Sequence, residues 1–215
     1  MPPHASALNL ALGGLAIAAV AVVCCLIPLS SRLTGRPRVL MGVVFSAVSI
    51  NIGLAVYLEG VHAGQWWTGC GLGVAAACLA AMAAIDAQWL IIPDLHVVLL
   101  MVLALIGPLA PGLVTAALGA VLGAGLLWTV RALFLRLRGI EAMGLGDVKL
   151  MAALGALVGP LRVLWIIAAA SILGVAWGLI RSRGRLADAP PAPFGAMAAL
   201  PAMAVLAWTH LWSGP

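Results

Sequence analysis

Residues 68–86 read TGCGLGVAAACLAAMAAID, eighteen residues without a charge, closed by an aspartate. A helix on the surface of a soluble protein carries a polar face, whereas one that is apolar all round is buried in protein or in a membrane. The rest of the chain has the same character. Of 215 residues, 65% are hydrophobic and 8% charged, where soluble domains have roughly 45–50% and about 25%. Too few polar side chains remain to clothe a soluble globule. That excludes an ordinary cytosolic enzyme, a disordered tail and a nucleic-acid-binding domain, so no nucleic-acid partner is expected. The formal charge of +5 is read as a marker of membrane orientation.

A spanning helix needs about 20 apolar residues. Eight segments qualify: Leu8–Leu29, Val39–Leu58, Trp66–Ile85, Leu95–Ala110, Leu113–Leu135, Val148–Val158, Val163–Ile180 and Phe194–Trp212. The sequence therefore predicts an all-α polytopic membrane protein of about eight transmembrane helices. Only short connections remain, so residues 1–215 are expected to form a single membrane-embedded domain, with its motifs between about 66 and 212. Two spans are short. Val148–Val158 is expected either to start inside a cavity or to continue through Gly159-Pro160 with a kink. The first span lacks a basic leader segment, since only His4 precedes it, and it exceeds the usual length of a signal core. It reads as a retained helix.

Basic residues orient this array. Arg32, Arg36 and Arg38 follow span one. Arg131, Arg136, Arg138 and Lys149 flank the connection between spans five and six, and Arg181, Arg183 and Arg185 follow span seven. With eight spans these clusters share one side, and only Arg162 lies opposite. The positive-inside rule makes that side cytoplasmic and places both termini outside. Trp66-Trp67 and Trp212 then fall near the outer interface. The pairs Gly69…Gly73, Gly119…Gly123 and Gly155…Gly159 have the spacing that permits close helix packing. Cys24, Cys25, Cys70 and Cys78 lie in apolar stretches without a CxxC pair. They read as small buried residues, and no metal site is expected.

Acids are scarce: Glu59, Asp86, Asp94, Glu141, Asp147 and Asp188. Glu59, Glu141 and Asp188 fall in loops and are expected to be solvated. Asp86 ends span three and Asp147 leads into span six, on the same side. An ionisable group at a membrane helix is a functional candidate. Two carboxylates held close share a proton: one takes a proton from water while the other hydrogen-bonds a carbonyl, which supports peptide hydrolysis without metal or covalent intermediate. Gly144 and Gly146, ahead of Asp147, let the backbone approach another chain closely. The bland alternative is a flexible turn entering a helix.

Together these residues resemble a known family. Ile85-Asp86 through Ile92-Pro93-Asp94 looks like the first aspartate motif of type IV prepilin peptidases. Gly144-Leu145-Gly146-Asp147-Val148-Lys149-Leu150 is similar to their GxGD motif, and Pro193-Phe194-Gly195 resembles a segment near their C-terminus. The resemblance runs from about span three onward. It implies an intramembrane aspartic endopeptidase of the bacterial inner membrane, working without a cofactor. Such an enzyme removes the leader of prepilins or pseudopilins at the cytoplasmic face. Asp86 and Asp147 match the catalytic aspartates, Gly144 and Gly146 the motif glycines, and Asp94 and Lys149 recurrent positions.

Larger members carry a cysteine-rich zinc insertion between spans one and two and also N-methylate the new N-terminus. Here that connection is Ser30–Arg38, without cysteine, so peptidase activity alone is expected. Asp94 has two readings: an N-cap of span four, accepting backbone N–H bonds, or a contact to a basic leader residue. Lys149 is expected either to pair with an aspartate or substrate, or to reach lipid phosphate. His62, His96 and His210 are isolated, which argues against serine or metal protease chemistry. A small proton- or cation-coupled transporter using the same acids is the main rival, and it predicts acids near the midplane.

Overall fold

The computed structural model describes residues 66–141, 143–182 and 191–209. Six helices order the described residues: α1 Trp66–Trp89, α2 Asp94–Leu105, α3 Leu113–Arg138, α4 Leu145–Val158, α5 Pro160–Arg181 and α6 Phe194–Ala207. No strand occurs among the described residues. The expected spans Leu8–Leu29 and Val39–Leu58 lie outside them. So do Cys24, Cys25, the Arg32–Arg38 and Arg183–Arg185 clusters, Glu59, Asp188, Trp212, the Trp66-Trp67 side chains and both termini.

Among the described residues three helices, Thr68–Trp89, Leu113–Arg138 and Pro160–Arg181, are long and apolar enough to cross a membrane. At 1.5 Å per residue, α1 is about 36 Å long and α3 about 39 Å, against a hydrocarbon core of about 30 Å. Their ends have identifiable causes. Leu90, in the left-handed region at φ 57, terminates α1. Gly139, at φ 66, caps α3, whose last turn carries Arg136 and Arg138 where the helix dipole favours cations.

The short helices depart from the sequence reading. The apolar run Leu95–Ala110 is helical only over Asp94–Leu105. Gly107-Pro108 follows, and a proline ring collides with the carbonyl four residues back. Helix α4 starts at Leu145, earlier than expected, and ends at Gly159, whose φ of 88 suits glycine. Pro160 then opens α5 as its first residue, a position proline favours. The chain thus makes two helices there, not one kinked span.

Helix α4 is the hub, packed against α2, α3, α5 and α6, while α1 lies against α6 and α2. Leu150, Met151, Leu154 and Leu157 of α4 are fully buried, as are Leu72, Leu79 and Met82 of α1. By contrast α3 and α5 turn Leu113, Val114, Val121, Trp128, Trp165 and Ile172 outward. Outer faces of this kind suit lipid rather than water.

The glycine spacing seen in the sequence has a structural use. A Cβ on Gly119 would collide with the carbonyl of Gly155, one on Gly155 with that of Gly119, and one on Gly123 with that of Met151. Each step of four along α3 is matched by a step of four backward along α4. The two helices are therefore an antiparallel pair with touching backbones.

Candidate active site

A cavity of about 600 Å³ opens where α1 ends and α2, α4 and α6 begin. Asp86, Asp94, Glu141, Gly144, Gly146, Asp147 and Lys149 all line it. Every candidate site residue read from the sequence is thus brought to one place.

Asp86 lies within α1, one turn before its end, and is only 3% exposed. A buried carboxylate needs a partner. Its Oδ2 accepts the backbone N–H of Ala196, in the first turn of α6, at 3.1 Å. Helix α6 has no acid in its own first turn, so Asp86 supplies from another helix the negative group that a helix N-terminus favours. Asp147 is the third residue of α4 and is half-buried. Its Oδ2 accepts the Gly144 N–H at 3.2 Å, satisfying one of the donors left free at a helix start. The two carboxylates line the same cavity.

One apolar side chain separates these supports. A Cβ on Gly146 would lie 3.1 Å from Ile92 Cβ, and a Cβ on Gly195 would lie 3.2 Å from both Ile92 Cδ1 and Asp86 Oδ2. Ile92 is therefore seated between the two glycines that flank the aspartates. The glycines are needed here for space.

One of the two readings of Asp94 is corrected. Asp94 does not cap α2: the N-cap is Pro93, without a side-chain cap bond. The Asp94 carboxylate instead reaches Lys149 Nζ at 2.9 Å, so of the readings open for Lys149 the pairing one describes the structure. Glu141 is exposed, as expected, and also has a partner. It takes a bond of 2.8 Å from Arg131, which also donates to the Met143 carbonyl at 2.6 Å. Arg131 thereby staples the connection that delivers Gly144 and Asp147. Sequence reasoning used Arg131 only for orientation. The overlooked signal was its position inside an apolar segment, where a charge needs a partner. His96 belongs to α2 and does not line the cavity.

Two carboxylates lining one cavity, each with an oxygen tied to a backbone N–H, have the chemistry to divide acid and base roles. Residues 73–179 match the type IV leader peptidase family. A prepilin leader peptidase/N-methyltransferase of Xanthomonas campestris is 35% identical over 189 residues, covering 83% of this chain and 62% of that protein. The protein of the same description from Burkholderia pseudomallei is 43% identical over 124 residues, covering 55% and 40%. That of Pseudomonas aeruginosa is 37% identical over 155 residues, covering 68% and 52%. The chain thus spans about 40–62% of the length of these relatives. No solved structure matches it.

Proposed function

Because residues 73–179 place this chain in the type IV leader peptidase family, we propose that it is an aspartic endopeptidase that removes the leader of prepilins or pseudopilins. The observation that carries the reading is the meeting of Asp86 and Asp147, 61 residues apart in sequence, on one cavity. The ionised member of the pair takes a proton from water. The resulting hydroxyl bonds to the scissile carbonyl carbon, and the protonated member hydrogen-bonds the carbonyl oxygen. The C–N bond then breaks as the amine nitrogen receives a proton from the pair. Gly144 and Gly146 leave the backbone beside Asp147 open to an extended peptide, while Asp94 and Lys149 contact the leader.

The protein is a bacterial membrane protein. The finer arrangement belongs to this proposal: a single domain over residues 1–215, about eight spans in the inner membrane, both termini extracytoplasmic, and cleavage at the cytoplasmic face. Arg131, Arg136, Arg138, Lys149 and Arg181 lie at helix ends on the cavity side, and Arg162 near the start of α5 lies opposite. This distribution supports a cytoplasmic cavity. Membrane lipid is the surrounding partner. The product is expected to leave unmethylated, given the short Ser30–Arg38 connection. The transporter reading finds no support, since both acids lie in end turns, not at mid-helix.

The test is cleavage in reconstituted membranes. Candidate prepilins are incubated with the protein and the new N-terminus is mapped by mass spectrometry. A shortened, unmethylated pilin supports the reading. Proton flux without cleavage of any candidate would sink it.

A further inference from the structure

The start of α6, where Pro193-Phe194-Gly195 resembles a family segment, makes the buried contact to Asp86. We propose that Gly195 is a positioning residue for the peptidase reaction: its lack of a side chain lets the N-terminus of α6 close on Asp86 and hold that carboxylate in place. The inference rests on the proposed peptidase activity.

Three observations lead to it. Ala196 donates its N–H to Asp86 Oδ2 at 3.1 Å in a buried setting. The Gly195 N–H faces the same carboxylate. A Cβ on Gly195 would lie 3.2 Å from Asp86 Oδ2 and 3.4 Å from its Cγ. The first is tighter than an ordinary contact, and Gly195 itself is buried. A methyl group there has two ways out. It pushes against Asp86 on one side or against Ile92 Cδ1, also 3.2 Å away, on the other. Both are side-chain ends, and the Asp86 carboxylate is the one whose displacement bears on the reaction. Loss of alignment by less than an ångström suffices to slow a reaction of this kind.

Gly195 is the second residue of a helix, and alanine is a better helix former than glycine by about 1 kcal/mol. Gly195→Ala therefore keeps the helix. The matched control is Gly174→Ala. A Cβ there meets only Met197 Sδ of α6, at an ordinary 3.6 Å, and reaches neither aspartate.

The experiment compares wild type, Asp86→Asn, Gly195→Ala, Gly174→Ala, Ile92→Val and the Ile92→Val/Gly195→Ala double variant, all full-length in liposomes with one cleaved prepilin. We expect Gly195→Ala to lower kcat by about tenfold to a hundredfold with KM unchanged. Gly174→Ala should keep both constants, and the double variant should stay as slow as Gly195→Ala. Ile92→Val removes the Cδ1 atom. If it restores kcat, measured against Ile92→Val alone, the fault was packing on Ile92 and the inference is overturned. Wild-type kcat in Gly195→Ala, or a change in KM alone, overturns it too. A wild-type rate in Asp86→Asn would instead sink the peptidase assignment.

Discussion

Asp86 and Ala196 stand 110 positions apart, and the carboxylate of one completes the helix start of the other at 3.1 Å. A side chain expected to serve chemistry is thus also part of the scaffold. Asparagine at position 86 keeps an oxygen for the Ala196 N–H, while alanine leaves that buried donor bare. Asp86→Asn should lower cleavage by about a thousandfold or more with the thermal midpoint nearly unchanged. Asp86→Ala should abolish cleavage and also destabilise by about 1–3 kcal/mol. Asp147→Asn should match Asp86→Asn in activity. Denaturation in detergent beside the cleavage assay separates the two effects.

Arg131 is largely buried, 13% exposed, and holds both Glu141 and the Met143 carbonyl. Arg131→Ala should cost about 1.5–3 kcal/mol, the range for hydrogen bonds to charged groups, and should lower kcat because the segment leading to Asp147 loosens. Glu141 is exposed, so Glu141→Gln should cost less than about 1 kcal/mol. Unfolding midpoints of the two variants check the order; equal losses would contradict it.

The Asp94–Lys149 pair is exposed on both sides. Its coupling energy, from a double-mutant cycle to alanine, should not exceed about 1 kcal/mol and should shrink in high salt. Effects on cleavage should appear in KM rather than kcat, because both side chains line the cavity mouth rather than its floor. A kcat loss comparable to that of Asp147→Asn would refute this division.

Substitutions along α3 should diverge sharply. Gly119→Ala drives a methyl into the Gly155 carbonyl, whereas a Cβ on Gly125 meets nothing within 4 Å. The first should destabilise by about 1–3 kcal/mol or more. The second should stabilise by up to about 1 kcal/mol through helix propensity. Paired thermal melts decide it.

Much of this was legible in the chain itself. Apolar runs declare helices because lipid and core demand the same residues, so α1, α3 and α5 lie close to their expected bounds. The short helices were harder. Hydropathy does not register that Gly107-Pro108 stops α2, nor that Gly144 and Asp147 start α4 before the apolar run begins. The acids and glycines that line the cavity were readable because a charge is rare in such a sequence. Their partners were not. That Asp94 turns to Lys149 instead of its own helix, that Arg131 reaches Glu141 and that Asp86 meets Ala196 are tertiary facts. No spacing rule encodes them. Ile92 stood only as part of a motif, since an isoleucine in an apolar segment gives no sign of its packing until its neighbours are known.

With backbone resting on backbone at Gly119 and Gly155, sliding α3 past α4 would drive carbonyl into carbonyl. The two helices are locked in register, and Asp147, riding at the head of α4, is fixed with them. Asp86 arrives from α1, on the far side of the same cavity. The alignment of the two acids therefore depends on how α6, which holds Asp86, seats against α4.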